Sequence, residues 1–272
     1  MFISHCHTNA VPFGMDRRFA DAGTLERLSL LLKQVGAAGG VAFAPFDYQY
    51  ARAKAANPDL PQDANEWLAC RLPEFSELVG FASLHPLLPD VAERLERTVE
   101  LGLVGCKIHP GVHSFRLDQP EMEPFYTAVE RLGLPVHLHT GVHGKFLDDY
   151  RPLLLDRVLA RHEGLRLIMD HCGGYAFFLE ALAVLQNRPN AYAGITQMSG
   201  RASYFRINEE RLSILLDSIG PKRLVFGLDY PWNPDNLQAA QDDAAWISSW
   251  PLSDADRELV LGGNIRWLVG LE

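Results

Sequence analysis

The sequence lacks any apolar run approaching the roughly 18 to 20 residues that a membrane-crossing helix requires, and its first 16 residues hold no Lys or Arg to form the basic head of a secretion signal. A cytoplasmic chain is therefore expected, with no membrane partner. It also lacks a basic excess: 25 Lys and Arg stand against 34 Asp and Glu, a net charge of −9, which argues against nucleic acid as a partner. The four cysteines, Cys6, Cys70, Cys106 and Cys172, are dispersed and form no CxxC pair, so neither a disulfide framework nor a cysteine-only zinc site is expected. No glycine-rich phosphate loop follows the early apolar runs that reach His7 and Phe46, which removes the main signature of a dinucleotide-binding open sheet.

What the chain does have is alternation. Eight short apolar runs, beginning at Phe2, Gly40, Leu78, Leu103, Leu134, Leu165, Ala191 and Arg223, are separated by segments of helical period. Leu25, Leu28, Leu31, Leu32 and Val35 recur at spacings of three and four, and so do Phe125, Ala128, Val129 and Leu132. Dividing 272 residues by eight gives 34 per unit, the length of a strand, a helix and two short loops. The pattern predicts a single (β/α)8 TIM-barrel domain over 1–272. Residues 47–62, with Pro58 and Pro61, read as the longest loop, and Ser253 to Leu268 as a closing helix.

Polar residues collect at the C-terminal ends of these runs: His5 and His7 on the first, His85 on the third, His109 on the fourth, His137 and His139 on the fifth, His171 on the sixth and Asp229 on the eighth. In a parallel barrel all these ends share one rim. His5 and His7, two apart on a strand, face the same way while Cys6 faces oppositely, and two neutral imidazoles on one face are half of a metal site. In the second HxH pair His139 lies nearer the rim and is the expected ligand, with His137 left to the interior. A carboxylate at Asp229, ending an apolar strand, is costly unless it pairs or binds a cation. Lys107 is its obvious partner if no metal is present. Singly each residue fits an ordinary structural role; as a set at one rim they favour metal.

These motifs resemble those of the amidohydrolase superfamily, specifically the amidohydrolase-related group that includes decarboxylases similar to aminocarboxymuconate-semialdehyde decarboxylase. HCH at 5–7, GCKIHP at 105–110, GLPVHLHTG at 133–141, MDHCGG at 169–174, FGLDYPW at 226–232 and GGNIRWL at 262–268 carry the resemblance along nearly the whole chain. It implies that His5, His7, His139 and Asp229 hold one divalent metal, zinc being commonest, and that His171 either ligates it or polarises substrate. It also implies that Lys107, if carboxylated, could bridge to a second metal. One departure is Ile3, where the family usually has an aspartate two residues before the first histidine.

The leading expectation is a metal-dependent hydrolase of a small-molecule amide, lactone or ester. Metal-bound water attacks, Asp229 carries the proton, His171 stabilises the oxyanion, and His109 and His143 contact substrate. The competing expectation is a non-oxidative carboxy-lyase acting on an unsaturated or aromatic acid at the same site. For that reaction Arg201, Arg206 and Lys145 are candidate anion-binding groups, and Arg17, Arg18 and Arg52 could also reach the mouth. His113 is a further candidate substrate contact. The chain has few residues to spare for a dedicated lid, and a homodimer completing the pocket is expected by analogy.

Overall fold

The computed structural model describes residues 1–14, 21–144, 146–200 and 204–271. Eight strands, β1 (Phe2–His7), β2 (Gly39–Phe43), β3 (Leu78–Ser83), β4 (Cys106–Ile108), β5 (Val136–His139), β6 (Leu167–Asp170), β7 (Ala191–Thr196) and β8 (Leu224–Tyr230), pair in sequence order. All pairs are parallel, and β1 joins β8 to close the barrel. This is the (β/α)8 barrel that the alternation predicts.

The helices begin where the sequence offers oxygen acceptors to free backbone N–H groups. Thr24 caps Leu25–Gln34, Asp63 caps Ala64–Arg71, Asn208 caps Glu209–Ile219 and Asp235 caps Asn236–Ser248. Among the described residues no helix is long and apolar enough to cross a membrane. Two local expectations are corrected. The stretch 47–62 is not one long loop, because Asp47–Ala56 is helical. Its ARAKAA run has high helix propensity, Gln49 Oε1 accepts from Phe46 N, and both prolines fall beyond the last turn. The closing segment is not one helix either. Asp254–Glu258 and Asn264–Leu268 flank a π-type turn at Leu259–Gly263, and this turn brings Asn264 Nδ2 within 2.7 Å of both the Pro221 and Leu224 carbonyls.

Strand alternation divides the barrel wall in two. Outward residues such as Cys6, Leu138, Met169, Phe226 and Leu228 pack with the helices in a large apolar layer. Inward residues at the N-terminal end, among them Val41, Phe43, Phe81, Ile168 and Val225, form a smaller apolar plug closed by Ile265 and Leu268. Above this plug the inward positions turn polar: Lys107, His137, Asp170 and Asp229 are all buried. The same rule of alternation thus builds both the floor and the site.

Candidate metal centre and substrate mouth

Three of the side chains that form the site sit on backbone with positive φ: His5 (60°), His171 (61°) and Asp229 (58°). Non-glycine residues adopt this region at a cost that surrounding structure must meet, and such residues concentrate at functional sites. At His5 the cause is visible, since the β1 register shifts between Ile3 and Cys6 against β2. Glycines make room behind these residues. A Cβ on Gly227 would lie 2.9 Å from His5 Cβ and 2.5 Å from Thr196 Oγ1, and one on Gly194 would lie 2.9 Å from Asp170 Cα.

The first group of side chains contains carboxylates. His5 Nε2 and His7 Nε2 are 3.2 Å apart, and Asp229 Oδ1 lies 3.2 Å from the former and 3.5 Å from the latter. His171 joins His5 and Asp229, with potential ligand atoms within 4.8 Å of one another. Its Nδ1 donates to the Thr196 carbonyl at 3.0 Å, which leaves Nε2 as the lone-pair nitrogen; a ring held in this way is the usual support of a metal-binding histidine. Burial lowers His7 to about 4, against the opposing pull of Asp229, and lowers His171 to about 4, so both are neutral near pH 7. Burial pushes the Asp229 carboxyl up, but His5 and then His7 outweigh it and hold it well below the usual carboxylate range. Neutral nitrogens and an anionic oxygen therefore converge. Their spacing suits a small divalent cation, because ligands bound at about 2.0–2.2 Å in a tetrahedron stand roughly 3.3–3.6 Å apart.

Beneath this group lies an ion-paired support. Lys107, fully buried, donates to Asp170 Oδ2 and has its Nζ 3.5 Å from His5 Nε2. His137 Nδ1 donates to Asp170 Oδ1 at 2.7 Å, and His5 Nδ1 is 3.3 Å from the same oxygen. Burial alone would lower His5, but Asp170, despite Lys107 and with the help of Asp229, leaves it raised. Lys107 therefore points inward as expected, but its partner is Asp170 and not Asp229. Unmodified, Lys107 serves Asp170 as its buried cation. Asp170 is the functional residue that sequence reasoning passes over in favour of its neighbour His171. The signal was available: Asp170 shares the inward phase of Ile168 on an apolar strand, as Asp229 does on β8. It also supplies a carboxylate beside His5, where Ile3 stands in place of the family's aspartate.

The second group contains only imidazoles. His109 and His139 stack with ring centroids 4.0 Å apart and planes 9° from parallel, and His143 meets His109 edge-on at 4.8 Å. His139 Nε2 donates to the Gly141 carbonyl at 2.8 Å, and the His109 Nδ1 is buried with no hydrogen-bond partner. Burial drives both His109 and His139 well below their ordinary value. His109, His139 and His143 each bring a ring nitrogen within 4.8 Å of the others, but this group holds no carboxylate, so it suits a cation less well than the first group does. The structure thus brings His5, His7, His171 and Asp229 together. It places His139 beside them, 4.8 Å from the His171 ring, with one nitrogen committed elsewhere.

Aromatic rings wall the mouth. Phe205 stacks on His171 at 3.8 Å, Phe46 lies 5.6 Å from His7 and 6.0 Å from His109, and Trp232 packs on Phe13 at 4.8 Å. His85 and His113 pair at 5.0 Å behind Phe46. Arg52 and Arg206 are exposed, while Arg17, Arg18, Lys145 and Arg201 lie outside the described residues.

The sequence pattern of the amidohydrolase family matches residues 4–271. The chain belongs to this family. It is 25% identical over 244 residues to 2-amino-3-carboxymuconate-6-semialdehyde decarboxylase of Dictyostelium discoideum, covering 79% of this chain and 67% of that one. It is 26% identical over 264 residues to gamma-resorcylate decarboxylase of Rhodococcus jostii (strain RHA1), covering 79% and 77%. Its fold matches the crystal structure of 5-carboxyvanillate decarboxylase from Sphingomonas paucimobilis, with a TM-score of 0.71 at 15% identity over 100% and 99% of the two chains. The names of these relatives favour the carboxy-lyase expectation over the hydrolase.

Proposed function

We propose that this amidohydrolase-family protein is a metal-dependent, non-oxidative decarboxylase of a small unsaturated or aromatic carboxylic acid. The observation that carries the reading is that relatives matching 79% of the chain are decarboxylases of such acids by name. The aromatic wall of Phe46, Phe205 and Trp232 supports it, since rings of this kind hold a flat, conjugated substrate. His5, His7, His171 and Asp229 would hold the ion, and zinc suits a site with three imidazoles. When bound, the ion would anchor and polarise the oxygens of the acid.

The chain's own residues supply the rest. His109, held neutral by burial, and His143 offer hydrogen bonds to polar substituents of the substrate, and the aromatic rings exclude water. Asp229, whose Oδ1 faces His5 and His7, would carry the proton on its other oxygen. Delivered to the carbon that bears the carboxylate, it is taken up by the electron pair of the breaking carbon–carbon bond, and carbon dioxide departs.

The test is to offer metal-replete enzyme a panel of aromatic and unsaturated acids beside a panel of lactones, amides and esters. Carbon dioxide release is expected from the first panel, lost in Asp229→Asn. Turnover confined to the second panel would return the protein to the hydrolases.

A further inference from the structure

Among the described residues, the imidazoles of the carboxylate-bearing group meet other rings at steep angles, from 46° to 82°, with one exception. Phe205 lies flat on His171, the ring centroids 3.8 Å apart and the planes 11° from parallel. Only 3% of Phe205 is exposed, so it offers substrate little surface and spends its face on the histidine.

The stack supplies what the hydrogen bond of His171 lacks. The bond from Nδ1 to the Thr196 carbonyl fixes which nitrogen carries the proton, but a ring held at one atom can still tip about that contact. His5 and His139 meet the ring at 56° and 67° and do not hold its plane. A flat face in van der Waals contact does.

The chain makes room for this ring. A Cβ on Gly141 would overlap Phe205 Cε1 and lie 2.9 Å from its Cδ1. The backbone of Gly141 is not left-handed, so the main chain does not call for glycine there; the space taken by Phe205 does. Gly174, in the turn after His171, would likewise bring a Cβ within 3.0 Å of Phe205 Cδ1. The segment that carries the ring is tied on both sides, since Tyr175 N donates to the Tyr204 carbonyl at 2.8 Å and Ile207 N to the Met198 carbonyl at 3.3 Å. Residues after β5, β6 and β7 thus combine to seat one phenyl ring against one imidazole.

We propose that Phe205 is a positioning residue for the metal centre, holding the His171 imidazole in the plane from which Nε2 joins His5 and Asp229. Residues that orient a metal-binding histidine influence the site nearly as much as the ligands do. The proposal rests on the metal-dependent reading of the site, though not on decarboxylation.

The experiment measures Zn2+ affinity by competition with a chromophoric chelator, together with the visible spectrum of the Co2+-loaded protein, which reports how ligands are arranged around the ion. Thermal unfolding verifies folding. Phe205→Leu keeps most of the apolar volume but not the flat face, and should weaken Zn2+ binding by about 10- to 100-fold and alter the Co2+ spectrum. Phe205→Tyr, which keeps the face, should retain both. Gly141→Ala leaves the carbonyl that accepts from His139 in place yet displaces the ring, and should reproduce the defect. Combined with Phe205→Ala it should be no worse than Phe205→Ala alone, whereas a general loss of packing would make the two changes add. If Phe205→Ala fails to fold, the contrast between Phe205→Leu and Phe205→Tyr decides. Unchanged affinity and spectrum in Phe205→Leu would overturn the proposal and leave the metal site standing; an unaltered protein that holds neither ion would overturn the metal-dependent reading and the proposal with it.

Discussion

Two groups of histidines meet at the top of the barrel, a few ångströms apart, and they differ in one respect: Asp229 and, below it, Asp170 face the first group, while among the described residues no carboxylate joins the group of His109, His139 and His143. Burial lowers imidazoles in both groups. Only the first also has anions, which raise His5 and give a cation something to bind. His109 and His139, uncompensated, stay neutral. The comparison teaches that clustered imidazoles do not by themselves favour a cation; the anion among them is what distinguishes the first group.

The largest effects should come from breaking the first group. His7→Ala or Asp229→Ala removes a donor from a set whose members are within 3.5 Å of one another, and metal content by elemental analysis should fall from one ion per chain to a small fraction. Activity should drop by about 10³-fold or more, as expected when the electrophile of a metal enzyme is lost. His143→Ala should retain the metal. Full occupancy in both His7→Ala and Asp229→Ala would end the assignment.

Next in size is the support beneath the site. Lys107→Met leaves Asp170 buried without its cation, a change of the kind that costs about 3–5 kcal/mol. Denaturant unfolding should show that loss, and Lys107→Met with Asp170→Asn together should recover much of it, because an uncharged pair no longer carries the desolvation cost. Equal stability of the single and double variants would show that the ion pair is not what holds this layer.

These side chains also show how far the sequence could be read. The barrel was legible because its period is local: outward Leu138 and Met169 alternate with inward His137 and Asp170, and caps such as Asp63 stand where helices begin. The convergence of His5, His7, His171 and Asp229 was legible for the same reason, since parallel strand ends must share a rim. The pairing of Lys107 with Asp170 was not, because β4 and β6 are separated by β5 and register across an intervening strand is set by barrel closure. Nor was the split of His139 from His7, which depends on the loop carbonyl of Gly141. The helix at Asp47–Ala56 was hidden by attention to prolines that lie outside it.

The pH dependence of stability should separate the groups further. Where folding lowers a histidine from its ordinary 6.5, as for His7 and His171 to about 4, the unfolded chain binds more protons between those values. Stability is then complete above about 6.5 and falls as pH drops toward 4. The raised His5 acts in the opposite sense, its contribution being lost as pH rises. His109 and His139 have no such counterweight, so Tm of the metal-free protein should fall from pH 7 to pH 4. His109→Gln should flatten that fall more than His7→Gln does. A Tm independent of pH over this range would contradict neutral burial of the stack.

The smallest effect is expected at His143, and it bears on what the stack is for. His143 is exposed, in contrast to the buried His109 and His139, and its ring stands edge-on to both, at 4.8 and 5.5 Å. The exposed ring can exchange a bond to water for one to substrate, a net gain of about 0.5–1.5 kcal/mol. His143→Ala should therefore raise KM by roughly 2- to 10-fold with kcat little changed, since an interaction made equally in ground and transition states affects binding alone. His143→Gln, which keeps a donor, should recover part of the loss. A fall in kcat at unchanged KM would instead place His143 among the groups that act on the reacting atoms, and would move the boundary between the two histidine groups to the other side of the mouth.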